Sequence, residues 1–182
     1  IKLRAINENT RNNLVVVATA CYGFHALSTT ELSQGTPFYV LLAPPSQVTV
    51  DEIIGVVSPF YQAIFNGVDL GKAFFVNMRG VFNYYHCESF LAISLVKYFA
   101  NQCMGKEARE RVERLSREKI KKIGWKNNRA NRRHFENLAR KRITPNQDLV
   151  NKYAKEFLHG RTHSLKVGEL WKLAKEYKRD GA

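Results

Sequence analysis

The chain has 182 residues, 45% of them hydrophobic and 12% aromatic, which is enough for a packed core and excludes wholesale disorder. It opens at Ile1 without a basic leader, and its apolar runs break well before the ~20 residues of a membrane span, so neither a signal peptide nor a membrane partner is expected. The formal charge of +13 is confined to one end: residues 1–104 carry six Lys/Arg and six Asp/Glu, whereas residues 105–182 carry 23 and 10. A break this sharp near Gly105 predicts two units with different tasks, 1–104 and 105–182.

Ile1–Asn9 is too short to classify by pattern and is compatible with the tail of a helix. The first unit turns on Asn12–Gly23. Its unbroken apolar run Leu14–Ala20 reads as a strand buried on both faces. A parallel strand of this kind delivers Cys21 to the carboxyl edge of a sheet, where α/β proteins place their sites, and Gly23 lets the backbone turn sharply after it. Ser28-Thr29-Thr30-Glu31 has the spacing of a capping box and predicts a short helix ending by Gly35. Thr36–Ala43 reads as a second buried strand, stopped by Pro44-Pro45. Thr49-Val50-Asp51-Glu52 is another capping box, whose helix runs to about Asn66-Gly67 with Pro59 as a possible kink. Asp69–Ala73 opens a further helical segment, and residues 89–103 read as a largely buried helix. This order predicts an α/β class: part of a parallel sheet covered by helices. Two strands do not make a stable sheet, so the remaining strands are expected from elsewhere.

The second unit reads as a basic helical extension. Between Lys106 and Lys122 the pairs Glu107–Arg111, Glu110–Arg114, Glu113–Arg117 and Glu118–Lys122 all have i, i+4 spacing. The stretch Trp125–His134 is nearly free of acids. Its Lys126, Arg129, Arg132 and Arg133, mixed with Asn side chains and an aromatic, suit phosphate contacts and base stacking. They predict docking of a nucleic acid or an acidic protein; the plain alternative is a solvated helix face. Thr144-Pro145-Asn146-Gln147 predicts a helix start with a Thr cap. Leu149 to Leu158 supplies that helix with an inner face up to His159-Gly160. A last helix is expected over about Val167–Lys178, and these two could form a helix-turn-helix pair.

Three cysteines, at positions 21, 87 and 103, are odd in number and unevenly spaced. They predict a reducing, cytoplasmic compartment rather than a disulfide framework. No Cys-x-x-Cys pair occurs, and neither a metal nor a cofactor is expected. Cys21 is the first candidate for chemistry, with closure of a strand by a small apolar residue as the bland alternative. A phosphatase-type thiol loop is disfavoured because no Arg stands six positions after Cys21. Thr19-Ala20-Cys21-Tyr22-Gly23 with His86-Cys87-Glu88 partly imitates the nucleophile elbow and His-x-Glu pair of class I glutamine amidotransferases, but the first elbow glycine is missing.

The strand ending in Ala20-Cys21, the next strand Phe38–Ala43, the aromatic helix segment Phe60–Phe65 and Gly67-Val68-Asp69-Leu70-Gly71-Lys72-Ala73-Phe74 together resemble the C-terminal half of caspase-like cysteine peptidases. The likeness is greatest to the bacterial CHAT-type members and spans roughly residues 7–76. The resemblance implies an endopeptidase acting on a protein substrate through an acyl-enzyme, with Cys21 as nucleophile. It implies a His-Gly after an earlier strand, which no residue here matches; a missing N-terminal segment or a partner chain would supply it. Pro45, Ser46 and Gln47 leave the neighbouring strand on the same edge and are the expected substrate wall. The alternative is a non-enzymatic nucleic-acid-binding or scaffold protein on a degenerate α/β core.

Overall fold

The computed structural model describes residues 2–180. The protein is mixed α/β, mostly helical with a small three-stranded sheet. The elements run α1 (Lys2–Asn9), β1 (Val15–Val17), a 3-10 helix (Gly23–Thr29), β2 (Val40–Ala43), α2 (Val50–Phe65), α3 (Leu70–Asn77), β3 (Asn83–His86), α4 (Cys87–Gln102), α5 (Gly105–Ile123), α6 (Arg129–Ile143), α7 (Gln147–Phe157) and α8 (Val167–Asp180). They fall into two compact units. One comprises the chain up to Phe90 together with Ala154–Thr162, and the other Leu91–Tyr153 together with the residues from His163 onward. The break in charge at Gly105 and the division into units therefore do not coincide.

In the first unit the sheet order is β1-β2-β3. β1 and β2 are parallel, Val15 opposite Val40 and Val17 opposite Leu42. β3 runs antiparallel to β2, with His86 opposite Val40 and Asn83 opposite Ala43. The sheet is thus mixed rather than wholly parallel. β3 escapes sequence reading because Asn83-Tyr84-Tyr85-His86 offers one buried side chain, Tyr85, among polar and exposed ones. Val40 and Leu42 face α2 and α3, in a cluster with Phe60, Ala73, Met78 and Phe82. By strand alternation Leu41 and Tyr85 face the other way. There an aromatic chain runs from Phe38 edge-on to Tyr85 (5.4 Å), then to Phe90 (5.5 Å) and on to Phe157 (5.9 Å).

Local chemistry explains the helix starts. Thr49 and Glu52 form the reciprocal capping box of α2: the Thr49 N–H donates to Glu52 Oε2 at 2.7 Å, and the Glu52 N–H to Thr49 Oγ1 at 3.3 Å. Asp69 caps α3 through bonds from the Gly71 and Lys72 N–H groups. Two expected caps are displaced. Ser28 of the expected box opens no helix but lies in the last turn of the 3-10 helix, its hydroxyl donating to His25 O at 2.8 Å, and Thr30 closes that helix with its N–H bonded to Leu27 O. Thr144 closes α6, its N–H and hydroxyl both donating to Arg140 O, and Asn146 opens α7 by accepting from the Leu149 N–H at 2.8 Å. The long connection Leu158–Lys166 between α7 and α8 differs from the short turn of a helix-turn-helix.

The last turn of α7 and the stretch that follows it belong to the first unit and are fastened there at several points. Thr36 N–H donates to Phe157 O at 2.8 Å, and His159 Nε2 lies 2.8 Å from Thr36 O. Arg161 donates to Asn12 O at 2.8 Å and stacks over the Tyr39 ring at 4.0 Å. His159 holds a left-handed backbone at φ 51°. Its ring fills the space in which a β-carbon on Gly35 would stand. Gly35→Ala is therefore expected to lower stability by about 1–3 kcal/mol in urea melts. The double variant Gly35→Ala/His159→Ala should recover part of that loss; a neutral Gly35→Ala would show that His159 does not pack there.

In the second unit α5 and α6 form a hairpin around Val112, Ala139 and Ile143, with Ala108 and Leu115 packed against them. Gly124 closes α5 in the left-handed region at φ 74°, where glycine carries no steric penalty. Lys178 of α8 donates to Ala100 O in the last turn of α4 and to Met104 O just before α5, both at 3.2 Å, and to Glu107 Oε2 at 2.7 Å. That hydrogen bond holds the Glu107 carboxyl below its ordinary pKa. Of the four expected i, i+4 pairs, Glu113–Arg117 forms an ion pair, whereas Glu107 pairs with Lys178 and Arg111 donates to the Tyr98 hydroxyl at 3.1 Å.

Candidate functional site

β1 carries Cys21 beyond its carboxyl end, after Ala18 N–H has bonded to Leu42 O at 2.9 Å and continued the parallel ladder. The chain then turns back over the sheet. Gly23 N–H closes onto Ala20 O at 2.9 Å, and Tyr22 takes the left-handed conformation at φ 57°. For a non-glycine residue that conformation is uncommon and costs of order 1 kcal/mol or more. A β-carbon on Gly23 would come within 3.3 Å of Ala43 Cβ, so the turn sits tightly on β2.

The turn is tied to the loop that leaves β2. Tyr22 N–H donates to Ser46 O and Phe24 N–H to Pro44 O, both at 3.1 Å. The Cys21 thiol is exposed and lies 3.5 Å from Val48 O. Pro44 is buried, while Pro45, Ser46 and Gln47 are exposed. The predicted nucleophile and the predicted substrate wall are thus neighbours, as two parallel strands side by side require.

The histidines are placed otherwise. Among the described residues no histidine hydrogen-bonds to Cys21. His25 follows in the 3-10 helix, its ring 5.6 Å from that of Tyr22. His86 stands opposite Val40, at the starting end of β2, whereas Cys21 lies beyond its finishing end. The two cannot form the pair that the His86-Cys87-Glu88 motif imitates. His86 instead meets the Tyr39 ring edge-on at 4.6 Å, and burial lowers its pKa. His159 and His163 have His-x3-His spacing, yet His159 binds Thr36 O and His163 accepts the Leu165 N–H at 3.2 Å. Among the described residues no three His, Cys, Asp or Glu side chains are grouped to hold a metal ion. None of their helices is long and apolar enough to cross a membrane.

The other two cysteines have packing environments. Cys87 is fully buried and accepts from Asn12 Nδ2 at 3.5 Å, and burial pushes its pKa up to about 11. Cys103 is half-buried, and burial raises its pKa as well.

In the second unit, Lys126, Arg129, Arg132 and Arg133 are all exposed on the loop and first turns of α6. Asn128 caps this helix by accepting from the Asn131 N–H at 2.8 Å, and no acid occupies the first turn. Arg129, the first residue of α6, is a cation set against the helix dipole, with Arg132 and Arg133 following one turn on. α5 follows the opposite, favourable rule with Glu107 at its start and Lys121 and Lys122 at its end. Arg129, Arg132 and Arg133 surround a shallow depression with Glu136 as its one acid.

No family model, curated protein or solved structure matches this chain.

The thiol environments set an order of reactivity. Iodoacetamide at pH 8 is expected to modify Cys21 first, Cys103 more slowly and Cys87 last, as read by peptide mass spectrometry. Modification of Cys87 at the rate of Cys21 in the folded protein would contradict its burial.

Proposed function

We propose that the first unit is the nucleophile-bearing part of a caspase-like, CHAT-type cysteine peptidase of the cytoplasm, and that the second unit docks an anionic partner. The observation that carries the first half is the exposed Cys21 thiol. It stands at the carboxyl end of a parallel strand, beside the exposed Pro45–Gln47 loop, and is followed by a residue in strained backbone. Strain that the surrounding hydrogen bonds maintain is commonly found where a side chain must be aimed.

In this reading the Cys21 thiolate attacks the carbonyl carbon of a peptide laid along Pro45–Gln47. The amine leaves with a proton, and water then releases the acyl group from sulfur. Backbone N–H groups at the oxyanion typically supply about 2.7–4 kcal/mol. The general base is a histidine carried by a strand that pairs with the free edge of β1, from a preceding segment or a partner chain. That edge presents backbone N–H and C=O groups, Val15 in β1 is 40% exposed, and β2 is the neighbour of β1 among the described residues. A peptidyl acyloxymethyl ketone should modify Cys21 in the assembled protein, and Cys21→Ala should abolish cleavage while leaving the melting curve unchanged. Cleavage that survives the substitution would end the peptidase assignment.

A second reading, a non-enzymatic nucleic-acid-binding or scaffold protein, rests on the cations set against the α6 dipole. A sequence that departs from local preference without a compensating contact marks a surface shaped by something it binds. Nucleic-acid affinity is then expected to fall steeply with salt, with a log–log slope of about −0.7 to −0.9 per phosphate neutralised. Alanine at Lys126, Arg129, Arg132 and Arg133 together should flatten that slope by up to roughly four such units. An unaltered slope would reduce the cluster to a solvated helix face.

A further inference from the structure

Between α5 and α6 the second unit carries a groove of about 300 Å³. Phe135 and Leu138 line its apolar side, and Leu138 is 48% exposed although it lies in the interior of a helix. Lys119, Lys122 and Arg142 stand around it, with Glu118 as the one acid in the lining. Trp125 extends the apolar surface. The residue is 51% exposed, and its ring, beside the groove rather than in its lining, meets that of Phe135 edge-on at 5.5 Å. Lys126 follows directly, and Arg129, Arg132 and Arg133 begin in the next turn.

An apolar slot with cations on its rim, and an exposed indole at its side, fits a flat apolar body with negative charge close on either side. An unpaired nucleobase with its flanking phosphates has that form. A base inside a duplex does not, because its faces are covered by the stack. A peptide of acidic residues alone would satisfy the cations but would leave Leu138 and Trp125 wet. We infer that the α5–α6 groove holds an unpaired nucleobase of a single-stranded nucleic acid, with Trp125 as a stacking platform and Lys119, Lys122 and Arg142 on the neighbouring phosphates. The inference rests on the anion-docking reading of this unit and narrows it to single strands.

Fluorescence anisotropy with the full chain tests it, using labelled oligouridylate, an RNA duplex of equal length and polyglutamate at matched salt. The single strand is expected to bind at least about five-fold more tightly than the duplex. Leu138→Glu and Trp125→Ala should each weaken single-strand binding about five-fold or more, with Trp125→Phe keeping most of the affinity. In a Trp171→Phe background, oligouridylate should quench Trp125 emission, a readout that a merely structural role would not give. Equal binding of strand and duplex, or full affinity in both Leu138→Glu and Trp125→Ala, overturns the groove while the docking reading survives. Tighter binding of polyglutamate, in competition with oligouridylate, overturns it in favour of an acidic protein. Absence of binding to the nucleic acids and to polyglutamate alike removes both readings together.

Discussion

Thr36 is fully buried, and the first unit is assembled around its polar atoms. Its N–H donates to Phe157 O, its carbonyl accepts from Asn7 Nδ2 and lies against His159, and its hydroxyl donates to Phe38 O at 2.8 Å. Tyr85 OH stands 3.4 Å from the same hydroxyl. A buried polar group without partners costs about 1–3 kcal/mol, so each of these bonds has to form if the residue is to be enclosed. Together they draw α1, the approach to β2, strand β3 and the stretch after α7 to one place. Asn7 and Asn12, also fully buried, extend the network through their mutual bond at 2.8 Å and through Leu14 N–H, which enters β1.

That polar knot lies at the starting end of β1 and β2, and the thiol lies at the finishing end. Strand direction therefore separates two chemistries. One end, with Asn12, Tyr39, His86, Cys87 and Arg161, is packed, bonded and stacked. The other, with Cys21, Tyr22 and Ser46, is exposed and held by a few backbone bonds over a tight turn. Rigid strands ending in accessible loops are the usual way an α/β framework holds reactive groups, and among the described residues β1 pairs on one side, with β2.

The second unit follows another principle. Its helices bury narrow stripes, so charge covers most of their surface. α5 and α8 place their charges in accord with the helix dipole, whereas α6 begins with arginines and no acid. The same hairpin leaves Leu138 and Trp125 uncovered beside those cations. Apolar surface and unbalanced charge side by side distinguish this face from the ordinary paired surface of α5.

Features set within a few residues were legible in the sequence. The Thr49–Glu52 box opens α2 as its spacing requires, β1 and β2 lie inside the apolar runs, and the order strand–Cys–strand with a following Pro-Pro loop brings Cys21 beside Pro45–Gln47. Where two neighbouring residues offered the same local bond, the sequence did not discriminate. Thr144 and Asn146 are both good caps, and only the packing of α6 decided that the first would close one helix and the second open the next. β3 shows no apolar alternation because its pairing, not its pattern, makes it a strand. Glu107 had a partner at i+4, yet Lys178 of a distant helix reached it. The α5–α6 groove draws on residues from both helices, and the return of residues 154–162 to Thr36 spans more than half the chain. Helix caps and strand runs depend on the few dihedrals between neighbours. The register of β3, the separation of His86 from Cys21 and the groove on the basic hairpin depend on which distant surfaces exclude water together, and only the folded chain decides that.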